Sequence, residues 1–423
     1  MKAAWPTMHA AVLLPLLLAP WQAASLQFPF QRVNPTHPAA HQASADSPPA
    51  SETLTPYTMP WVNELQALYN TFGEIRNDSS CPTELEDWAC APYPMSELDF
   101  IPPDDVWRLR PHDIKSVIAI GDSITAGFAM VSGRPPFATV LEFRGKVFSG
   151  GGDDGEYTLA NFLGTYANDI KGSPSGVTLP LAHGKGLNMA VSGSVAQTLG
   201  PQIERLRRQF SWVGTYRRYK KKWKMITVFI GANNLCQACE SGDDIPEHAD
   251  PEEYGKALKL ALQDLKASVG PAFVNLVGIF DVTLVYERSR GYPYCEMLFD
   301  KMPIPICSCA TSGENNRKKA GDLAKKYNEV MERIAQEINE EKEGSKTFGV
   351  VFQPGLTEFK NGSSPYGQGY MSGLDCFHPN KCANQIMAIS LWNNMFASRE
   401  NKNKPMRPHE IKIFCPGPND YLQ

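Results

Sequence analysis

The sequence predicts an α/β fold, a flavodoxin-like three-layer α/β/α sandwich with about five parallel strands. Short, continuously apolar runs of strand length alternate with longer segments of helical periodicity, which is typical of a parallel sheet covered on both faces. Polar, glycine-containing motifs follow several of the runs. The 423-residue chain is 42% hydrophobic, which is enough for a large core.

The predicted strands are 117–120, 187–191, 225–230, 273–280 and 348–352. The predicted helices are 195–210, 251–268, 314–339 and 383–396. Ligands of such folds bind beyond the carboxyl ends of the strands, so the residues after each strand are the candidates for a site.

The first residues have the features of a secretory signal, predicted at 1–24, with a buried N-terminal helix as the alternative. Residues 25–58 are rich in Pro, Ala and Ser and predict a flexible leader. A single catalytic domain is expected over 59–423, opening with a helical extension near 61–72.

A secreted or secretory-pathway location is expected, and two N-x-S/T acceptors, Asn77 and Asn361, are candidate glycosylation sites there. No later segment reaches transmembrane length and the last residues are polar, so no membrane anchor is expected.

Ten cysteines, an even number, predict disulfides and few or no free thiols in a secreted chain. Cys376 and Cys382 flank His378 and are expected to pair locally or to staple that loop. Cys236 and Cys239 have the spacing of half a zinc site, which is the minority alternative. The cysteines are Cys81, Cys90, Cys236, Cys239, Cys295, Cys307, Cys309, Cys376, Cys382 and Cys415.

The formal net charge of -4 gives no electrostatic reason to expect a nucleic-acid partner. One local basic run is interpreted as the solvated face of a helix before a strand, with a lipid-headgroup patch as the alternative. It consists of Arg217, Arg218, Lys220, Lys221, Lys222 and Lys224.

A formal G-x-G-x-x-G match occurs at 150–155. Dinucleotide binding is not favoured there, because Asp153 and Asp154 would repel a pyrophosphate and no long βα unit frames the segment. A structured loop near the site is expected instead.

Ser123 is the candidate nucleophile because it follows the first predicted strand directly, in Gly-Asp-Ser. The glycines permit a tight turn, and a helix N-terminus favours developing negative charge. A simple N-cap is the alternative interpretation. No G-x-S-x-G motif occurs in the chain, which argues against an α/β-hydrolase elbow.

The next two strand ends carry candidate oxyanion donors, the backbone N–H of Gly193 and the side-chain amide of Asn233. Each could instead be an ordinary turn residue. His378 is the candidate base, since it follows the last strand and has an aspartate, Asp375, three residues before it. A helix-capping aspartate with an incidental histidine is the alternative.

Taken together, these motifs resemble the four blocks of the SGNH/GDSL hydrolases, in order Ser123, Gly193, Asn233, and Asp375 with His378. Further segments at 108–115, 143–153, 229–236 and 391–395 are similar to the phospholipase B-like subgroup, so that the resemblance covers about 61–415. One departure is Asn234, where the family usually has Asp.

The resemblance implies hydrolysis of carboxylic esters through an acyl-enzyme, with Ser123, Asp375 and His378 as the triad. The N–H groups of Ser123 and Gly193 and the Asn233 amide would form the oxyanion hole. It implies phospholipids and lysophospholipids as substrates, transient contact with a membrane or micelle surface, and no metal or organic cofactor. The alternatives are an esterase for carbohydrate or small esters and a non-catalytic lipid-binding protein.

Overall fold

A computed structural model describes 85, 87–95, 101–131, 140–180, 182, 184–240, 244–301, 306–341, 346–357, 368–402 and 411–423. All of these fall within one compact unit, Tyr69–Gln423. The predicted signal (1–24), leader (25–58), helix at 61–72 and glycosylation sites Asn77 and Asn361 lie outside the described residues.

The described part of the chain contains a four-stranded parallel sheet whose strands follow one another in chain order. Its strands are β1 (Ser116–Gly121), β2 (Lys224–Phe229), β3 (Ala272–Val277) and β4 (Phe348–Gln353). Every residue of the first three strands is buried, which explains why they are continuously apolar and not alternating.

The predicted strand at 187–191 is an extended segment along the free edge of β1, with a single parallel bridge between Ala119 and Asn188. The Ala119 N–H donates to Leu187 O (3.1 Å), and the Met189 N–H donates to Ala119 O (2.8 Å). Four regular strands are therefore present in the described residues, with this segment in the fifth place. When the five extended segments are numbered along the chain, with 187–191 as the second, their spatial order is 2-1-3-4-5. This order is flavodoxin-like and puts the topological switch point at the first strand, β1.

Ten α-helices occur in the described residues, and those predicted at 251–268, 314–339 and 383–396 match within a few residues. They are α1 (Ser123–Ala126), α2 (Leu159–Tyr166), α3 (Gly200–Gln209), α4 (Ala232–Gln237), α5 (Pro251–Val269), α6 (Leu284–Arg288), α7 (Pro293–Asp300), α8 (Ser308–Thr311), α9 (Glu314–Glu340) and α10 (Lys381–Asn394). The predicted helix at 195–210 is divided into a 3-10 turn at Ala196–Thr198 and α3.

The helices cover both faces of the sheet. Helices α3, α5 and α9 form one layer, in which α5 packs against both neighbours. Helices α2 and α10 pack together on the other face. The sequence at the two ends of α5 explains where this helix begins and ends. The Asp250 side chain accepts hydrogen bonds from the N–H groups of Glu252 and Glu253, and Gly270, with a φ of 83°, ends the helix.

Segment 150–155 is an ordered loop, held by hydrogen bonds from Gly152 N to Pro174 O (2.8 Å) and from Asp153 N to Gly145 O (2.9 Å). It packs against Val117 in the amino half of β1. We expected a structured loop near the site. The loop is structured, and its contact with Val117 lies toward the amino end of β1, whereas Ser123 follows the carboxyl end.

All nine described cysteines are in disulfides, as predicted. The expected local pair of Cys376 with Cys382 is wrong, because Cys376 is bonded to Cys295. The zinc alternative is also wrong, since Cys236 and Cys239 are bonded to Cys307 and Cys309. A fourth bond joins Cys90 to Cys415. Pairing follows proximity in the fold, which local spacing does not reveal.

Among the described helices, none is both long enough and apolar enough to cross a bilayer.

Candidate active site

Ser123 is placed by a turn that only glycine allows. A side chain on Gly121 would lie 2.3 Å from the carbonyl oxygen of Phe229 on the neighbouring strand. Asp122 then caps α1 by accepting a hydrogen bond from the Ile124 N–H (2.9 Å). Ser123 is the first residue of α1, and is not its cap. The serine therefore stands at the carboxyl end of β1, the ligand-binding edge of the sheet.

Ser123, His378 and Asp375 form one hydrogen-bonded chain. The Ser123 Oγ lies 2.8 Å from His378 Nε2, and His378 Nδ1 lies 2.5 Å from Asp375 Oδ2. An ionised aspartate only accepts, so the proton of the neutral imidazole is on Nδ1. Nε2 can then accept the serine proton, which is the arrangement of a nucleophile with its base and orienting acid.

The turn that contains Asp375 and His378 is strained and is held by hydrogen bonds and a disulfide. Cys376, between them, has a φ of 55°, which is uncommon for a residue other than glycine. Asp375 Oδ1 accepts the N–H groups of Phe377 and His378, both at 2.9 Å. The disulfide to Cys295 ties the turn to α7. The second of the two expectations for Cys376, that it staples this loop, is confirmed.

Asp375 is ionised in this setting. Burial acts to raise its pKa, but the charge of His378 and the hydrogen bonds from the imidazole and the two backbone N–H groups outweigh it, and the pKa is lowered. The negative charge is therefore present at neutral pH, where it stabilises a protonated imidazole.

Gly193 lies in the loop after segment 187–191, and Asn233 is the second residue of α4, just after β2. Gly193 has a φ of 84°, and a side chain there would meet no atom within 4 Å. The Asn233 amide donates to the carbonyl of Ser194 at 2.9 Å, so the two blocks are bonded to each other. The segment with Asn233 leaves the sheet beside Ser123, because β1 pairs with β2 up to Gly121 and Phe229.

Asn234 has no described contact with the triad. Its Oδ1 accepts the Ala196 N–H (3.1 Å), and its Nδ2 donates to the carbonyl of His248 (2.6 Å) and to Gln197 Oε1 (3.0 Å). A backbone donor on one side and a backbone acceptor on the other determine which atom is the oxygen. Asn234, the residue that differs from the usual family Asp, therefore joins the segment around Asn233 to the segments around Ala196 and His248.

A buried ion pair, which the sequence analysis missed, holds the second block. Arg144 and Glu142 are fully buried and 2.5 Å apart. Arg144 donates to the carbonyls of Asn188 (3.1 Å) and Ala190 (3.0 Å), while Glu142 accepts the Ser192 hydroxyl (2.6 Å). The ion pair therefore holds segment 188–192, which leads into Gly193, by hydrogen bonds. Because Arg144 lies in one of the family-like segments, that resemblance was the available signal.

Gln202 was also missed. Its amide accepts from the N–H and donates to the carbonyl of Gly121 (3.1 and 2.8 Å), and it donates to the Ser194 hydroxyl (3.1 Å). The side chain thus joins the end of β1 to the second block. It lies on α3 in an amphipathic pattern, where nothing in the sequence separates it from a surface glutamine.

Asp122 is a buried carboxyl directly beneath the serine. One oxygen caps Ile124, and the other has no hydrogen-bond partner among the described residues. Burial, opposed by the Ile124 hydrogen bond and the charge of His378, raises its pKa to about 7. An unfolded aspartate titrates near about 3.9. Between these pH values the folded protein binds a proton that the unfolded chain does not, so this group lowers stability as pH rises.

We expect Asp122→Asn to remove that pH dependence while keeping the oxygen that caps Ile124. The melting temperature of the variant relative to wild type should rise between about pH 5 and pH 8, because only the wild type gains a buried charge there. Thermal unfolding followed by circular dichroism at the two pH values measures it. An equal difference at both would contradict the buried titration.

Two half-buried aromatic rings border the triad. Phe128 and Phe377 lie beside the His378 imidazole, with ring centroids 4.9 and 5.3 Å away. The surface next to Ser123 is therefore partly apolar.

The chain matches the model of the GDSL-like Lipase/Acylhydrolase family over 117–391. It is 31% identical to "Phospholipase B1, membrane-associated" of Rattus norvegicus over 330 residues, 74% of this chain and 22% of that protein. For the Homo sapiens protein of the same name the values are 30% over 401 residues, 85% and 26%. The chain thus spans about a fifth to a quarter of these relatives.

Solved structures give a more distant likeness. An acetylxylan esterase from Geobacillus stearothermophilus, solved as a catalytic mutant, is 13% identical with a TM-score of 0.31, covering 65% of this chain and 90% of that one.

The family match begins in β1 at Val117, contains β2 to β4 and helices α1 to α9, and ends within α10. It therefore includes Ser123, Gly193, Asn233, Asp375 and His378. The chain belongs to the GDSL-like lipase/acylhydrolase family.

Proposed function

We propose that this protein is a secreted serine esterase that hydrolyses the acyl esters of phospholipids and lysophospholipids through an acyl-enzyme. The observation that carries the proposal is the continuous chain from Ser123 Oγ to His378 to Asp375 at the carboxyl edge of the sheet. In this reading Ser123 is the nucleophile, His378 the general base and acid, and Asp375 the group that orients the imidazole.

The reaction begins when Ser123 Oγ attacks the acyl carbonyl and His378 Nε2 takes its proton. The tetrahedral intermediate collapses with breakage of the ester C–O bond, and His378 returns the proton to the leaving alcohol. Water, deprotonated by the same imidazole, then attacks the acyl-enzyme. Release of the fatty acid restores Ser123 and the neutral histidine. No metal or organic cofactor takes part.

The oxyanion is stabilised by the N–H groups of Ser123 and Gly193 and by the Asn233 amide. Within the described part of the chain, neither N–H has an acceptor, and both are therefore available. One hydrogen of the Asn233 amide is used by Ser194, which leaves the other for the substrate. Donors held in this way need no reorganisation as charge develops.

Three observations support a lipid substrate in the extracellular space. The triad is bordered by Phe128 and Phe377, the similar proteins are named phospholipase B1, and several disulfides fit an oxidising compartment. The signal at 1–24, the catalytic domain at 59–423 and glycosylation at Asn77 and Asn361 are parts of the same proposal.

A substrate panel tests the acyl preference. The purified protein is given phosphatidylcholine vesicles with different acyl chains at the two positions, lysophosphatidylcholine micelles, p-nitrophenyl acetate and acetylated xylooligosaccharides. We expect fatty acids to be released from both positions, with kcat/KM at least about tenfold above that for either acetyl ester. Preference for acetylated sugar would favour the carbohydrate esterase. Vesicle binding without turnover of any ester would favour a lipid-binding protein.

A further inference from the structure

The strongest surface feature outside the site is a basic pole at the opposite end of the sheet. The pole consists of Trp212, Val213, Arg217, Arg218, Lys220, Lys221 and Lys222, all exposed. It lies in the loop between α3 and β2, before the amino end of β2, whereas Ser123 follows the carboxyl end of β1. No Asp or Glu occurs anywhere from 205 to 239.

The pole differs from the predicted helix face. The segment folds as a single 3-10 turn, Arg217–Tyr219, within an irregular loop. Lys224, which the sequence analysis counted in the same run, is buried at the start of β2. Its ammonium group donates to the carbonyls of Lys220 (3.0 Å), Tyr219 (3.2 Å) and Pro271 (3.2 Å), and also to that of Lys222. A buried lysine side chain thus holds the backbone from which the exposed cations project.

The loop is also fixed on its other side. The N–H of Tyr216 donates to Gln209 O (3.0 Å), and a side chain on Gly214 would lie 2.1 Å from that same oxygen. The Arg218 guanidinium lies over the Tyr219 ring at 5.2 Å. The cations therefore occupy a preformed array, so less ordering is required when a ligand binds.

An open depression of about 780 Å³ lies among these side chains. It is lined by Phe210, Trp212, Thr215, Arg217, Arg218, Lys220 and Lys221. Trp212 is 77% exposed and Val213 is 74% exposed. An exposed indole beside a concave row of cations is typical of an interaction site, whereas a solvated helix face carries charges without an exposed aromatic ring.

The charged residues on the elements next to the basic pole leave its electrostatic potential positive. Lys115, before β1, and Lys171, bridged to Ser116, are both basic. Asp169 pairs with Lys171 and also acts on Arg218. On α3, Glu204 is paired with Arg207 and Arg208. The net field is positive, so the complementary partner is a polyanion.

We propose that the basic pole binds a sulfated polysaccharide of the glycosaminoglycan type. Its sulfates and carboxylates would pair with the arginines and lysines, and the apolar face of a sugar ring would stack on Trp212. A bilayer is a poorer fit. The strand β1 has six residues, and at about 3.3 Å per residue the catalytic edge would be held about 20 Å from a membrane bound at this pole. A polysaccharide bound there leaves the catalytic edge free.

The test measures binding of the whole protein to immobilised heparin over a range of salt concentrations. One variant carries Arg217→Ala, Arg218→Ala, Lys220→Ala and Lys221→Ala. Its matched control carries Lys256→Ala, Lys318→Ala, Lys325→Ala and Arg399→Ala, which remove the same charge from exposed positions elsewhere. We expect affinity to fall at least about tenfold in the first and less than about threefold in the second. Ester hydrolysis should be unchanged in both, which verifies that they fold.

Trp212→Ala separates sugar recognition from charge alone. We expect it to weaken heparin binding about threefold to tenfold without altering the salt dependence, since only stacking is lost. Equal affinity for heparin and a DNA duplex of matched charge, with no effect of Trp212→Ala, would overturn the proposal. So would equal loss in the two quadruple variants. Binding to phosphatidylcholine–phosphatidylserine vesicles through the pole, with none to heparin, would assign it to membranes instead.

Discussion

Ser123→Ala should abolish ester hydrolysis while leaving the fold intact. The variant keeps the turn at Gly121 and the Asp122 cap on Ile124, and it loses only the hydroxyl that is bonded to His378 Nε2. Losses of roughly a thousandfold to a millionfold are typical when a triad nucleophile is removed. Fatty-acid release from phosphatidylcholine vesicles and labelling by a fluorophosphonate probe measure the effect independently of each other.

Ser268→Ala is the matched control, because Ser268 is a buried serine on α5 whose hydroxyl has a weak hydrogen bond to Asp264 (3.4 Å). It should retain both turnover and labelling. If Ser123→Ala kept more than about a tenth of wild-type turnover, the nucleophile would have been assigned wrongly. If it also retained the label, a different serine would be the reactive one.

Asn233→Ala should lower kcat by about a hundredfold or more with little change in KM, because the amide donates to charge that exists only in the transition state. Asn234→Asp, which restores the usual family residue, should change kcat by less than about tenfold. Steady-state kinetics of the two variants on one phospholipid gives the comparison.

The structure adds a cost to Asn234→Asp that kinetics would not show. The carboxylate would face the His248 carbonyl and Gln197 Oε1 and could donate to neither, while the His248 carbonyl would keep its hydrogen bond from Gln197 Nε2. Asn234 is fully buried, and replacing its two donated hydrogen bonds by a carboxylate beside two oxygens costs about 1–3 kcal/mol, so the melting temperature should fall. A crippled Asn234→Asp enzyme together with a silent Asn233→Ala would mean that the third block was read one residue out of register.

The strands and the triad were predictable because each leaves a local signal. Strands buried on both faces are continuously apolar, as β1 and β2 show, and the polar residue after such a strand reaches the ligand edge. Asp375 and His378 lie on one short turn, so their spacing already carried the geometry.

The features without a local signal in the sequence depend on contacts between distant residues. The Arg144–Glu142 pair is understood only when the segment it grips, 188–192, is packed beside it. The partner of Cys376 is 81 residues away. Lys224 is one basic residue among several in the sequence, and only the fold shows that it is buried beneath the others.

The disulfide between Cys90 and Cys415 joins two cysteines that are 325 residues apart in the sequence, and this has a topological consequence. It closes nearly the whole described domain into one covalent ring, which contains the other three disulfides described above. A protease that cuts once anywhere inside the ring opens it without releasing a fragment. After a cut between residues 123 and 378, the pieces carrying Ser123 and His378 would stay linked, and the hydrogen-bonded core between them would hold them in place. A nicked molecule of this kind would retain its composition and its mass apart from one water.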